Sequence, residues 1–272
     1  MQNLRITLIQ TSLHWVDITA NLEMFAQKVT AITQPTDLII VPETFSTGFS
    51  MDPEKYAEEV TESKAIAWMH TVAKQKNCVI TGSLMLKENG RFFNRLIWMQ
   101  PDGTFQYYNK RHLFALSHED EAFTAGAEKL TVEIKGWKIR PLICYDLRFP
   151  VWSKNLLDEE ENPDYDLLLY VANWPDKRAY AWKHLLIARA IENQAYVAGL
   201  NRVGNDGNDN YYSGDSMVLG PLGQVLYHKI QDEDIFTLEL EYQQLETLRK
   251  TFPFLKDADS FTLNKKQKIS GH

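Results

Sequence analysis

The chain has 272 residues, 44% hydrophobic and 24% charged, which is long and apolar enough to bury a large core and excludes a disordered chain. Lysine and arginine number 29 against 36 aspartates and glutamates, a formal charge of −7 that argues against nucleic acid or an anionic membrane as partner. Apolar runs such as 38–41 and 167–172 fall far short of the roughly 20 residues of a bilayer span, and the only cysteines, Cys78 and Cys144, can build neither a disulfide framework nor a four-cysteine zinc site.

Residues 1–5 run straight into a strand-like segment without the pattern of a signal peptide, so the expectation is a cytoplasmic, unprocessed protein. Residues 4–10 read as a buried strand. Residues 17–32 carry Leu22, Phe25, Val29 and Ile32 at helical spacing. A strand follows at 37–43 (DLIIVPE), a helix at 63–74, a strand at 78–85, and a hairpin over 92–108 that turns at Pro101-Asp102-Gly103 and leads to Lys110. The second half restates this order: strand 138–144, short helix 151–157, strand 166–173, helix 179–193 with Trp182, Leu185, Leu186 and Ile191 on its apolar side, then strand 195–203. DLIIVPETF parallels DLLLYVANWP, and a second hairpin turns at Pro221-Leu222-Gly223 and reaches Lys229. The alternation is that of an α/β domain, and the restatement suggests two halves with their sheets packed together. Residues 158–163 and 205–210 read as polar loops. Residues 242–272 form a C-terminal arm, a short helix followed by apolar and then basic residues, expected at a subunit interface.

Two polar residues stand at the ends of apolar runs, and a third follows a hairpin. Ligands of α/β folds gather at the carboxyl ends of strands, and Cys144 follows the strand at 138–143, so its thiol is either a nucleophile or a small buried hydrophobe. Cys78, set among apolar neighbours, reads as core. Glu43 ends DLIIVPE, where an unpaired buried charge would cost several kcal/mol, so it needs a partner as an ion pair, a helix cap or a general base. Lys110 follows the first hairpin; alone it reads as a solvated cation. Glu119 lies in a polar stretch with Glu121 close by, and His112, His118 and Glu119 match no zinc-ligand spacing, so no metal or other cofactor is expected.

The segments VPETFSTGF around Glu43, NKRHLF around Lys110 and LICYDLRFP around Cys144, followed by ANWP at 172–175 and ARAIEN at 188–193, resemble the carbon-nitrogen hydrolases of the nitrilase superfamily. KRHLF, CYDLRFP, ANWPDKR and NRVGNDGN are most similar to the bacterial omega-amidases, which cleave the terminal amide of 2-oxo acid amides such as 2-oxoglutaramate. The resemblance spans roughly residues 4–240. It implies one domain over 1–272 with a four-layer αββα sandwich, two mixed sheets related by a pseudo-twofold internal repeat, and a homodimer. It also implies Cys144 as nucleophile, Glu43 as general base, Lys110 as stabiliser of negative charge and Glu119 as a second carboxylate that orients Lys110 or water. The backbone N–H of Tyr145 would join Lys110 in an oxyanion hole.

A close ammonium is expected to favour the thiolate. Arg148 is within reach of a substrate carboxylate, or else pairs with Asp146, while Tyr145 and Trp174 wall the pocket. Nitrile-hydrolysing relatives carry Trp-Glu after the cysteine where this chain has Tyr-Asp, which favours an amide. Other readings stay open: an amidase for deaminated glutathione or an N-carbamoyl amino acid, a papain-like protease that pairs Cys144 with a histidine such as His112, a glutaminase subunit, or a non-catalytic interaction protein.

Overall fold

The computed structural model describes residues 1–263. The first half runs through β1 (Leu4–Gln10), α1 (Ile18–Thr30), β2 (Leu38–Ile40), α2 (Pro53–Tyr56), β3 (Glu58–Glu59), α3 (Lys64–Lys76), β4 (Val79–Glu88), β5 (Arg91–Met99), β6 (Phe105–Asn109) and the single-turn α4 (Glu119–Ala122). The second comprises β7 (Val132–Ile134), β8 (Trp137–Ile143), α5 (Pro150–Ser153), β9 (Leu167–Ala172), α6 (Ala179–Asn193), β10 (Tyr196–Asn201), β11 (Val203–Asn205), β12 (Tyr211–Leu219), β13 (Val225–Ile230), β14 (Asp234–Leu240) and α7 (Tyr242–Thr251).

The strands form two mixed sheets, ordered β14-β1-β2-β4-β5-β6 and β11-β12-β10-β9-β8-β7. In the first, β1, β2 and β4 are parallel and β5 and β6 follow antiparallel. The second repeats this with β8, β9 and β10 parallel and β12 and β13 antiparallel. The internal repeat suggested by the sequence is thus a repeat of connectivity. Period-two alternation divides the first sheet's side chains: Ile6, Leu38, Ile40, Leu96 and Trp98 pack in one core with Ile139 and Ile143 of the second sheet. Ile9, Ile39, Ile80, Ile97 and Met99 turn outward to Phe25 and Val29 of α1 and Met69 and Val72 of α3. Trp182, Leu186 and Ala190 of α6 pack on the second sheet, completing the αββα sandwich.

Several boundaries differ from the sequence reading. The strand expected at 37–43 ends at Ile40: Val41 N–H still reaches Thr81 O at 2.8 Å, but Pro42 has no N–H to continue the ladder. The helix expected at 151–157 stops at Ser153, because Asn155 is drawn away to bond Asn193 and the Tyr165 carbonyl. Ile191 is 49% exposed, off the apolar side of α6. The strand expected at 195–203 breaks at Arg202 into β10 and β11. Lys229 lies within β13 and pairs with Asp232 at the surface, so it is no counterpart of Lys110. Of the C-terminal arm, α7 lies on its own domain through buried Leu245 and the Arg249–Asp166 pair, with Phe252 and Phe254 exposed. The basic stretch at 264–272 lies outside the described residues.

Candidate active site

The carboxyl ends of strands from both sheets converge. Glu43 follows β2, Lys110 follows β6, Cys144 follows β8 and Asn173 follows β9. Cys144 sits at the turn from β8 into a five-residue 3₁₀ helix, Cys144–Arg148, with φ +43. Such a left-handed conformation is strained for a side chain with a Cβ and persists only where its surroundings fix it. It leaves the thiol between the strand ends rather than in the sheet, with Sγ 3.9 Å from the Asn173 carbonyl oxygen.

Lys110 is fully enclosed. Its Nζ donates to Glu43 Oε1 at 2.9 Å and to Glu119 Oε1 and Oε2 at 3.0 and 2.9 Å. Asn94 Nδ2 bridges the same carboxylates, 2.8 Å from Glu43 and 3.1 Å from Glu119. Glu43 Oε2 accepts the Asn173 N–H at 2.7 Å, and Glu119 Oε2 accepts the Phe114 N–H at 2.6 Å. Each carboxylate therefore has the donors a buried charge requires. Glu121 is exposed and bonds His118, so Glu119 is the carboxylate that meets Lys110.

The lysine favours the thiolate as expected, but it is outweighed. Burial pushes the Cys144 thiol well above its ordinary value and the negative charge of Glu43 adds to this, while Lys110 opposes it; Glu119 raises it further. The cluster holds two carboxylates against one ammonium, so the net effect of the surroundings favours the protonated thiol. Burial alone would lower the pKa of Lys110, but Glu119, Glu43 and Cys144 together raise it. Cys78 is a core residue pushed to about 12 by burial.

The thiol opens on a cavity of about 330 Å³ lined by both predicted and unpredicted residues. Lys110, Cys144, Tyr145, Arg148 and Trp174 were named from the sequence and all line it; Phe114, Asn173, Lys177, Arg178, Asp206 and Tyr212 were not assigned there. Arg148 does not pair with Asp146: its guanidinium lies 4.8 Å over the Trp174 ring. Arg178 lies 5.0 Å over Phe114. Among the described residues, none of Arg148, Lys177 and Arg178 forms an ion pair with a protein carboxylate. Asp206 is occupied, accepting from Asn208 N, Asn210 N and Nδ2, and Tyr212 Oη. Among the described residues no histidine lines the cavity. His112 bonds Asp146 instead, which removes the papain-like pairing. Asn94 gave no sequence signal beyond a polar residue in a strand. Lys177 and Arg178 were visible in ANWPDKR, but only the fold turns them toward Cys144.

A buried acid-base cluster beside a thiol at the strand ends of a duplicated αββα sandwich defines a hydrolase of amide-type carbon-nitrogen bonds, and the chain belongs to the carbon-nitrogen hydrolase family, whose profile matches residues 5–250. It is 45% identical over 267 residues to the omega-amidase YafV of Escherichia coli (strain K12), covering 97% of this chain and 100% of that protein. It is 33% identical over 238 residues to the 2-oxoglutaramate amidase of Bacillus subtilis (strain 168), covering 86% of this chain and 88% of that one. The crystal structure of XC1258 from Xanthomonas campestris, a CN-hydrolase superfamily protein with an arsenic adduct in its active site, superposes with a TM-score of 0.95 at 45% identity, over 97% of this chain and 100% of that one.

Proposed function

We propose that the protein is an omega-amidase: a thiol amidohydrolase that releases ammonia from the terminal amide of a small 2-oxo dicarboxylic acid monoamide, 2-oxoglutaramate or 2-oxosuccinamate. The observation that carries this reading is that Cys144 and Lys110, the latter held by Glu43 and Glu119 behind it, line one cavity with Arg148, Lys177 and Arg178, which form no ion pair with a carboxylate among the described residues. The likeness to the omega-amidase and the 2-oxoglutaramate amidase supports it.

Glu43 accepts the Cys144 proton as sulfur attacks the amide carbon. The tetrahedral oxyanion is held by Lys110 Nζ and the N–H of Tyr145, which lies in the first turn of its short helix where N–H groups lack intrahelical acceptors. Glu43 then returns the proton to the nitrogen, the carbon–nitrogen bond breaks and ammonia leaves a thioester on Cys144. Water adds to the thioester with Glu43 again as base. Collapse yields the acid, and the proton passes back to sulfur. Glu119 holds Lys110 in place throughout.

The substrate's carboxylate binds at Arg148, with Lys177 and Arg178 adding to the positive field. Glutamine differs from 2-oxoglutaramate by an ammonium at the same end of the molecule. That ammonium meets three cations against the single carboxylate of Asp206, so the balance of charge disfavours glutamine. Ammonia release should be measured from 2-oxoglutaramate beside glutamine, a simple nitrile, deaminated glutathione and an N-carbamoyl amino acid, with Cys144→Ala as control. Turnover of the 2-oxo amide that disappears in the variant is expected. Turnover of a different amide through Cys144 overturns the substrate, and inactivity toward every compound overturns the catalytic reading.

A further inference from the structure

Asp146 is a buried carboxylate that the reaction does not use, and it lies two residues beyond the nucleophile. Its Oδ2 accepts the Tyr108 hydroxyl at 2.8 Å and the Ile143 N–H at 3.1 Å. Its Oδ1 accepts the His112 N–H at 3.0 Å and lies 2.8 Å from His112 Nδ1. These partners are not scattered. Tyr108 and His112 flank Lys110 on either side, while Ile143 and Asp146 flank Cys144, so a single carboxylate joins the backbone around the lysine to the backbone around the thiol.

The partners are themselves immobilised. The Tyr108 oxygen accepts from Trp152 Nε1 at 3.0 Å and from Arg111 N at 3.1 Å, which uses its full bonding capacity. The His112 ring lies flat on Phe149, with centroids 3.7 Å apart and planes 9° apart, and so grips the far end of the Cys144–Arg148 helix as well as its middle. Cys144 has a left-handed backbone conformation that needs outside support. The Asp146 bond to Ile143 N–H supplies it from the residue before.

We propose that Asp146 is a positioning residue that, through His112 and Tyr108, fixes the Cys144 thiol relative to Lys110 and the Glu43 base. The inference rests on the reading of Cys144 as nucleophile. It assigns to the Asp of CYD a task distinct from any contact with substrate: the carboxylate orders the nucleophile's turn, and displacing reacting groups by about 1 Å costs about 100-fold in rate.

The test compares Asp146→Asn, His112→Phe and His112→Asn, each by steady-state kinetics on 2-oxoglutaramate and by the pH dependence of Cys144 alkylation with iodoacetamide, with Cys78 as internal control. Asp146→Asn replaces one acceptor by an amide donor. His112→Phe keeps the stack on Phe149 and loses the ring donor, whereas His112→Asn keeps a donor near the Nδ1 position and loses the stack. In Asp146→Asn and His112→Phe, kcat should fall about 10- to 100-fold with KM within about threefold. The alkylation midpoint should move down toward an ordinary thiol as Cys144 relaxes out of its enclosure. His112→Asn should retain most of kcat and the wild-type midpoint. An unmoved midpoint and unchanged kcat in both impaired variants, or His112→Asn as impaired as His112→Phe, overturns the proposal. Should Asp146→Asn fail to fold, the partly exposed His112 pair decides alone. If no amide is turned over yet the midpoint moves, the substrate reading fails and the positioning role stands. If amides are turned over and nothing moves, the reverse holds.

Discussion

Glu119 and Glu43 share one ammonium, and that imbalance sets the chemistry of the thiol. Glu119→Gln removes one of the charges that raise the Cys144 pKa, so the alkylation midpoint of Cys144 should move down. Catalysis should nevertheless suffer. The wild-type carboxylate accepts from Lys110, Asn94 and Phe114 N, and a glutamine has only one oxygen for these donors, so its amide group must face one of them. We expect kcat to fall about 10- to 100-fold; an unaltered kcat would show that the charge on Glu119 is not needed. Burial raises the Glu119 pKa, so the folded state holds this proton more tightly than the unfolded one. Its contribution to stability is therefore present below the ordinary carboxylate range and is lost as pH rises through the folded value. Denaturation at several pH values should show wild type losing stability relative to Glu119→Gln as pH rises. Glu43 and Cys144 stood out in the sequence as polar residues where apolar strands end, whereas Lys110, which alone reads as a solvated cation, joined them only through the motif resemblance. The sign of the thiol's shift was not legible there: sequence shows a lysine that favours thiolate, and only the fold shows that the same lysine is shared by two buried carboxylates.

At the scale of elements, one carboxylate reinforces the start of the strand that closes the first sheet. Glu233, immediately before β14, accepts from Thr11 Oγ1, Ser12 N and Ser12 Oγ beyond the end of β1, and pairs with Lys28 of α1 at 2.7 Å. Partial burial raises its pKa, but these donors outweigh that and bring it to about 2. A depressed carboxylate stabilises the fold above its unfolded pKa, and this contribution is lost as pH falls from the ordinary carboxylate range toward about 2. The side chain is 45% exposed, so solvent screening limits the effect. Glu233→Gln should cost about 1 kcal/mol near pH 7, measured by urea denaturation, and the difference should shrink progressively below pH 4. A difference that persists undiminished in acid would assign the loss to packing instead of charge. Such contacts explain which elements could be read beforehand. The bounds of α6 and β1 match the sequence reading because their patterns are local. The helix at 151–157 was cut short by Asn193 and Tyr165, residues distant in the chain, and no local pattern carries that information.

The whole molecule is two repeats meeting at a seam, and Asn173 ties that seam at the site itself. β2 and β9 occupy corresponding places in the two sheets, and the residues just beyond them meet across 130 positions of sequence. Asn173 Nδ2 donates to the Glu43 carbonyl at 2.8 Å and to Thr44 Oγ1 at 3.0 Å, while its N–H holds Glu43 Oε2. Thr44 has φ +42, so the turn that carries Glu43, like the turn at Cys144, needs support from its surroundings. The likeness of DLIIVPETF to DLLLYVANWP made the duplication visible in the sequence, but not that the two strand ends would bond each other. Asn173→Ala keeps the backbone bond to Glu43 and removes both side-chain donors, leaving a buried carbonyl oxygen without this partner. The cost should be about 1–3 kcal/mol of stability. The same lost bonds free the Glu43 turn, so kcat should fall by about 10-fold or more, with KM much less affected since the cation at Arg148 is untouched. Fold and chemistry are then expected to fail together, in contrast to Glu119→Gln. Thermal unfolding alongside steady-state kinetics distinguishes the cases: a destabilised Asn173→Ala that retains wild-type kcat would mean the seam supports the fold without positioning the base.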